Sequence, residues 1–245
     1  MRGVFVAGTD TGVGKSVLAA SICAALAAQG QRVAAFKPVV TGLDEAPAPS
    51  PAGEPWPPDH ELLAAAAGGG QAPEEVAPYR FGPPLSPDLA AALAGTAIEP
   101  AALVSAARSA AADTHALICE GVGGLMVPLT PGYLVRDLAV DLGLPLVIAA
   151  RTGLGTINHT LLTIEAARSA GLEVGGVVMT PWPDDPERIQ ASNRESIERL
   201  GAVSVSGLPQ TDRASLASAG ATLPMAEWLG GDDRAWPGAD AGREA

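Results

Sequence analysis

A chain of 245 residues that is 47% hydrophobic but only 4% aromatic has the small aliphatic side chains to bury a large α/β core, and it reads as one domain over 1–229. A net charge of −12 and a sequence pI of about 4.6 set the mean surface field against phosphate backbones and anionic lipid, so neither nucleic acid nor a membrane is an expected partner. Cys23 and Cys119 form no disulfide framework or zinc spacing and read as buried small hydrophobes; without a transmembrane-length apolar run or a signal-peptide pattern, the expected location is cytoplasmic.

The first apolar run, 2–7, leads into Gly8-Thr9-Asp10-Thr11-Gly12-Val13-Gly14-Lys15-Ser16 and then into an amphipathic segment over 17–29. This is a strand, a tight loop and a helix. In such a loop the backbone N–H groups and the helix N-terminus converge on a phosphate, Lys15 reaches the outer phosphates, and the Ser16 hydroxyl can coordinate magnesium. Counted back from Gly14-Lys15-Ser16, the usual first glycine of a P-loop falls on Thr9, one residue after Gly8. The chain is predicted to bind a nucleoside triphosphate, attracted locally by Lys15 and a helix dipole despite the acidic surface.

A second strand over 32–39 carries Lys37 to its carboxyl edge and continues as Pro38-Val39-Val40-Thr41-Gly42. A strand lysine either snorkels to solvent or meets an anion, and the neighbouring P-loop favours the anion. Residues 43–58 are rich in Pro and Ala, which makes them a mobile active-site loop or an insertion. Asp59 follows Pro57-Pro58 and precedes an Ala/Leu helical segment over 61–67, so its simplest role is a helix N-cap, with metal or nucleotide contact requiring a spare oxygen.

The strand over 115–119 delivers Glu120-Gly121-Val122-Gly123-Gly124. A carboxylate there either caps the turn or holds magnesium, and the glycines allow close approach of a substrate. After a strand over 144–150 come Arg151-Thr152-Gly153-Leu154-Gly155-Thr156-Ile157-Asn158-His159-Thr160 and a helix to about 170. Thr156 or Asn158 can cap it, its free N–H groups suit a carboxylate, and a lone histidine in a first turn reads as structural. Further strands are expected at 173–179 and 203–208, and the polar stretch 230–245 reads as a disordered tail. Near-continuous apolar strands alternating with helices predict a P-loop NTPase-like three-layer α/β fold, a mostly parallel sheet covered on both faces, with ligands at the carboxyl ends of the strands.

Four of these pieces, in order, resemble the dethiobiotin synthetase family, the ATP-dependent ligases of the biotin pathway: Gly8 through Ser16, Lys37 through Gly42, Glu120 through Gly124, and Leu154-Gly155-Thr156-Ile157-Asn158-His159. The shifted P-loop glycine is the family's own form. The resemblance implies that Gly12, Val13, Gly14, Lys15, Ser16 and Val17 wrap the triphosphate of ATP, with Gly121, Val122 and Gly123 beside it. It further implies that Ser16, Asp59 and Glu120 hold Mg2+, that Lys37 and Lys15 are catalytic, and that Thr11, Lys37 and Thr41 surround the substrate. The implied enzyme is a homodimer with its substrate site between subunits, where Gly155, Thr156, Ile157 and Asn158 reach the substrate's tail carboxylate. The implied reaction takes 7,8-diaminopelargonic acid, carbon dioxide and ATP through a carbamate and a mixed anhydride to a cyclic urea. The family's base-reading Asn after the strand at 173–179 is replaced by Thr180-Pro181-Trp182, so Thr180 and Leu208-Pro209-Gln210 are the candidates for the nucleobase.

Two other readings share the phosphate machinery. One is a different small-molecule ligase, such as an amidoligase that activates a carboxylate; Lys37 with Thr41 and the turn at 155–158 favour the diamine instead. The other is a partitioning-type ATPase switch, whose extra loop lysine would fall where this chain has Asp10.

Overall fold

The computed structural model describes residues 2–230; the expected tail lies, apart from Gly230, outside the described residues. In chain order the elements are β1 (Arg2–Gly8), α1 (Lys15–Ala28), β2 (Val33–Phe36), β3 (Val39–Val40), α2 (Asp59–Ala66), α3 (Pro73–Val76), β4 (Tyr79–Arg80), α4 (Pro87–Leu93) and α5 (Pro100–Ala111). There follow β5 (Ala116–Glu120), β6 (Pro128–Thr130), β7 (Tyr133–Leu134), α6 (Val135–Leu142), β8 (Leu146–Ala150), α7 (Thr156–Ser169), β9 (Val174–Trp182), α8 (Arg188–Gly201), β10 (Val205–Pro209), α9 (Leu216–Gly220) and α10 (Met225–Leu229).

Successive side chains of a strand point to opposite faces, and here both faces are covered. Phe5 and Ala7 of β1, Leu117 and Cys119 of β5, and Leu146 and Ile148 of β8 enter one core with Leu103 of α5, Leu138 of α6, Ile164 of α7 and Ile197 of α8. The intervening Val4, Val6, Ile118 and Val147 enter a second core with Leu18 of α1, Leu62 of α2, Leu216 of α9 and Met225 of α10. Burial on both sides is why these strands read as continuous apolar runs.

The six main strands are all parallel, in the order β10-β9-β8-β1-β5-β2. From β1 the chain crosses to β2 at one edge, returns to β5 between the two, and then moves to β8, β9 and β10 on the other side of β1, so the crevice at the carboxyl ends of β1, β5 and β2 falls where ligands collect in such sheets. The second strand is shorter than expected. β2 stops at Phe36, the Lys37 N–H bonds the Val76 carbonyl at 2.8 Å, Pro38 has no N–H to give, and Val39–Val40 pairs with β4 instead. β9 runs beyond the expected 179 to Trp182, which pairs with Pro209 of β10 after a bulge.

Helix α9 lies against α1 at backbone distance: a Cβ on Gly220 would sit 2.0 Å from the Ser21 carbonyl oxygen. Gly220→Ala is therefore expected to destabilise the fold by about 1–3 kcal/mol, the usual range for overpacking. Urea unfolding should show a lower midpoint at unchanged slope.

Candidate functional site

The loop between β1 and α1 is shaped by two glycines at positive φ, Gly12 (68°) and Gly14 (89°). Gly14 occupies the N-cap position without a side-chain cap, so the first-turn N–H groups of α1 remain available to an anion. A Cβ on Gly14 would also lie 2.6 Å from the Thr180 methyl group, which places Thr180 directly behind the loop. Lys15 is buried and folds back so that its Nζ donates to the Asp10 carbonyl at 2.8 Å. Burial pushes its ammonium down to about 8, against the opposing pull of the Glu120 carboxylate.

Lys37, at 3% exposure, does not snorkel; it is clasped by two carboxylates. Its Nζ donates to Glu120 Oε1 at 2.6 Å and makes a short hydrogen bond to Asp59 Oδ2. Burial alone would push the lysine pKa down, but Asp59 and Glu120 outweigh it and hold the ammonium well above its ordinary range. Asp59 does not cap α2: Pro58 takes the N-cap position, Asp59 is the first helical residue, and its carboxylate turns to Lys37. That contact holds the Asp59 carboxyl below its usual range against the opposing effect of burial.

Glu120, fully buried at the end of β5, does not cap its turn either. Its Oε1 accepts from Lys37 and, at 2.8 Å, from the Ser16 hydroxyl, while Oε2 has no hydrogen-bond partner. Burial pushes this carboxyl up, with Lys37 opposing. Both cysteines are buried and unpaired, as expected.

These groups line a cavity of about 620 Å³ that contains Thr11, Gly12, Gly14, Lys15, Ser16, Val17, Lys37, Thr41, Asp59, Glu120, Val122 and Gly123. Val13 and Gly121 are buried. Residues 43–58 supply part of the wall through Glu45, Ala48, Trp56 and Pro57, and residues 84–87 supply another part. The segment folds back on itself, with the Trp56 N–H bonded to the Ala48 carbonyl at 2.8 Å and Trp56 packed on the second core.

Besides the buried Val13, Gly121 and Thr180, two predicted groups do not line this cavity. Leu208, Pro209 and Gln210 lie at the end of β10, where Trp182 packs over Gly207 and Arg194 stacks 5.7 Å from the Trp182 ring centre. Gly155, Thr156, Ile157 and Asn158 form the start of α7, also outside it. Neither Thr156 nor Asn158 caps that helix: Gly155 holds the cap position at φ 91°, and the Thr156 hydroxyl donates to the Arg151 carbonyl at 2.6 Å. His159 is exposed.

Two structural ties escaped the sequence reading. Arg151 donates to the Thr11 carbonyl at 3.0 Å and faces Asp10 at 3.7 Å, joining the end of β8 to the phosphate loop. The buried Asn193 of α8 donates to the carbonyls of Thr152 and Gly153 at 3.0 and 3.1 Å, fixing the turn before α7. The spacing of Asn193, Ile197 and Gly201, all buried, is the four-residue signal that marked this amide as facing inward.

A family model described as an AAA domain matches residues 2–213. The ATP-dependent dethiobiotin synthetase BioD of Anaeromyxobacter dehalogenans (strain 2CP-C) is 45% identical over 188 residues, 76% of this chain and 80% of the relative. That of Bacillus subtilis (strain 168) is 36% identical over 208 residues, 85% of this chain and 87% of the relative. Among solved structures, a ParA family ATPase from Chlorobium tepidum TLS superposes with a TM-score of 0.50 at 13% identity, covering 90% of this chain and 89% of its own; it shows the fold. Among the described residues no helix is long and apolar enough to cross a membrane.

The Lys15 ammonium titrates near 8 in the fold and near 10.5 when unperturbed, so between these values the folded protein carries fewer protons than the unfolded chain. Through this group the ligand-free fold gains stability as pH rises from 8 to 10.5, and below 8 the buried charge costs about 3 kcal/mol. Lys15→Met should accordingly be more stable than the parent at pH 7 by about 1–3 kcal/mol, with the advantage shrinking toward pH 10, while nucleotide binding is lost. Urea unfolding at both pH values, with a nucleotide titration, measures both effects.

Proposed function

The chain belongs to the ATP-dependent dethiobiotin synthetase family, cyclo-ligases of biotin biosynthesis, and on that premise we propose that the cavity around Lys37 is where the diamine, carbon dioxide and the γ-phosphoryl group of ATP meet. The observation that carries this reading is the placement of one buried ammonium, Lys37, between Asp59 and Glu120 and beside Ser16 and Lys15 of the phosphate loop.

The donor set fits magnesium. Ser16, Asp59 and Glu120 offer hard oxygen ligands, and Glu120 Oε2 is buried without a partner. Among the described residues no group of three His, Cys, Asp or Glu could hold a metal alone, so the ion would also need the oxygens of a bound phosphate. Ser16, Asp59 and Glu120 would hold the ion, which supplies neutralising charge at the β- and γ-phosphates.

The chain's own groups do the rest. Backbone N–H groups from Gly12 to Val17 cradle the triphosphate, flanked by Gly121, Val122 and Gly123, and Lys15 exchanges the Asp10 carbonyl for phosphate oxygens. Thr11 and Thr41 hydroxyls flank the reacting amines. Carbon dioxide adds to one amine with loss of a proton; the carbamate oxygen attacks the γ-phosphorus and ADP leaves; the second amine attacks the carbonyl carbon, closing the urea as phosphate departs. Negative charge grows at the carbamate and at the transferred phosphoryl group, where Lys37 and Lys15 are placed to neutralise it. Holding both amines in one cavity replaces a bimolecular encounter by an oriented one. Thr180 and the Leu208-Pro209-Gln210 backbone, at the ends of β9 and β10, take the nucleobase.

The start of α7 serves a second copy in this reading. Gly155, Thr156, Ile157 and Asn158 lie outside their own cavity, with first-turn N–H groups available to a carboxylate. Leu154, 93% exposed, stands on the same turn, and Leu162 is exposed on the helix that follows; exposed apolar side chains there suit a homodimer. The two unpaired cysteines fit the reducing cytoplasm.

Purified protein should form dethiobiotin from 7,8-diaminopelargonic acid and bicarbonate only when magnesium and ATP are both present. Lys37→Ala should remain folded by circular dichroism and lose about 10³-fold in turnover; near-normal turnover would remove Lys37 from the reacting centre. Leu154→Glu should raise the monomer fraction in sedimentation velocity and, with it, KM for the diamine.

A further inference from the structure

The cavity is lined by three carboxylates, and only two of them have a cation. Asp59 and Glu120 share Lys37, whereas among the described residues no ion pair involves the side chain of Glu45. Glu45 is nonetheless held in place by its backbone. Gly42 turns the chain at φ 83°, and the N–H groups of Gly42, Leu43 and Asp44 bond the carbonyls of Pro83, Phe81 and Gly82 at 3.1, 3.3 and 2.9 Å. The Glu45 N–H then closes the turn onto the Gly42 carbonyl at 3.0 Å. Its carboxylate folds back over the turn: Oε2 is 3.0 Å from where a Cβ on Gly42 would stand, one residue from Thr41.

The substrate makes this carboxylate matter. Alkylamines of the lysine type are ammonium ions at neutral pH, so the diamine arrives cationic in a cavity that already contains Lys15 and Lys37. The two lysines repel it, and the carboxylates Asp59 and Glu120 are both hydrogen-bonded to Lys37, which leaves Glu45 as the carboxylate of the lining that has no cation of its own among the described residues. We propose that Glu45 is a substrate-positioning residue that receives one ammonium group of the diamine at the Thr41 end of the cavity. The inference rests on the ligase reading above and adds to it the group that recognises an amine. Glu45 also has a geometric reason to prefer one amine over the other, because its turn is pinned to residues 81–83 rather than free to follow the ligand.

The test uses the full chain, the diamine and two monoamine analogues, 7-aminononanoate and 8-aminononanoate. Glu45→Gln keeps the size of the side chain and removes the charge. It should weaken calorimetric binding of the diamine, and raise its KM, by about 10- to 100-fold, the range of a charge-assisted hydrogen bond. KM for ATP should stay within about twofold, well below that range. The analogue that lacks the held amine should bind the parent and Glu45→Gln alike, while the other keeps the full loss. Unchanged diamine binding, an equal loss with both analogues, or a parallel rise in KM for ATP would each overturn the proposal, the last two by showing that the turn itself had moved. Failure of the parent protein to make dethiobiotin would instead overturn the ligase reading, and the two results are separately visible.

Discussion

A lysine buried between two carboxylates is the arrangement to which the rest of the site is fitted. Removing an ammonium and a carboxylate from water costs several kcal/mol each, and the attraction between them offsets this only when the geometry is close and the remaining polar atoms are bonded. Here that geometry requires three separate pieces of chain to arrive together: the residue after β2, the first residue of α2, and the last residue of β5. Each is placed by backbone features rather than by the charges. Pro38 ends one strand, Pro58 starts the helix one residue before the carboxylate, and parallel pairing with β1 and β2 fixes the height of Glu120 in the sheet. The charges then act as the final constraint that makes the carboxyl edge of the sheet a site instead of a surface.

The same arrangement moderates the charge that the cavity presents on an acidic protein. Lys37 is the shared counter-ion of Asp59 and Glu120 and offsets half of their charge, which lessens the repulsion that the pair would exert on an incoming triphosphate. Two charged groups of the cavity stand outside this hydrogen-bonded cluster and differ in sign: Lys15, whose ammonium bonds the Asp10 carbonyl and feels the Glu120 carboxylate, and Glu45, which has no ion pair among the described residues. One end of the cavity therefore suits an anion and the other a cation, which matches the two substrates the family brings together.

Much of this was legible in the sequence because it is local. The phosphate loop, the strand-end Lys37 and Glu120, and the helix beginning near 59 are each written in a few consecutive residues, and the apolar runs matched the six strands of the main sheet within a few residues. What was not legible depends on contacts between distant segments. The order of the strands, the break of the second strand after Phe36, and the choice of Asp59 to bind Lys37 rather than cap its helix all need the tertiary neighbour to be known. Arg151 and Asn193 belong to the same class, since each bonds backbone carbonyls 40 or more residues away and leaves only a weak local trace. The strand end at Trp182 shows the converse: Thr180-Pro181-Trp182 was visible in sequence, but the packing of Trp182 over Gly207 was not.

The close seating of α9 on α1 through Gly220 has a meaning beyond fold stability. Helix α1 is the one whose first turn would cradle the phosphates in the proposed site, and a neighbour pressed against it at backbone distance leaves it little room to shift. A cradle already rigid before the nucleotide arrives spends less ordering entropy on binding, so more of the phosphate interaction appears as affinity. In that sense a glycine remote from the proposed reacting centre would preorganise its phosphate cradle from behind.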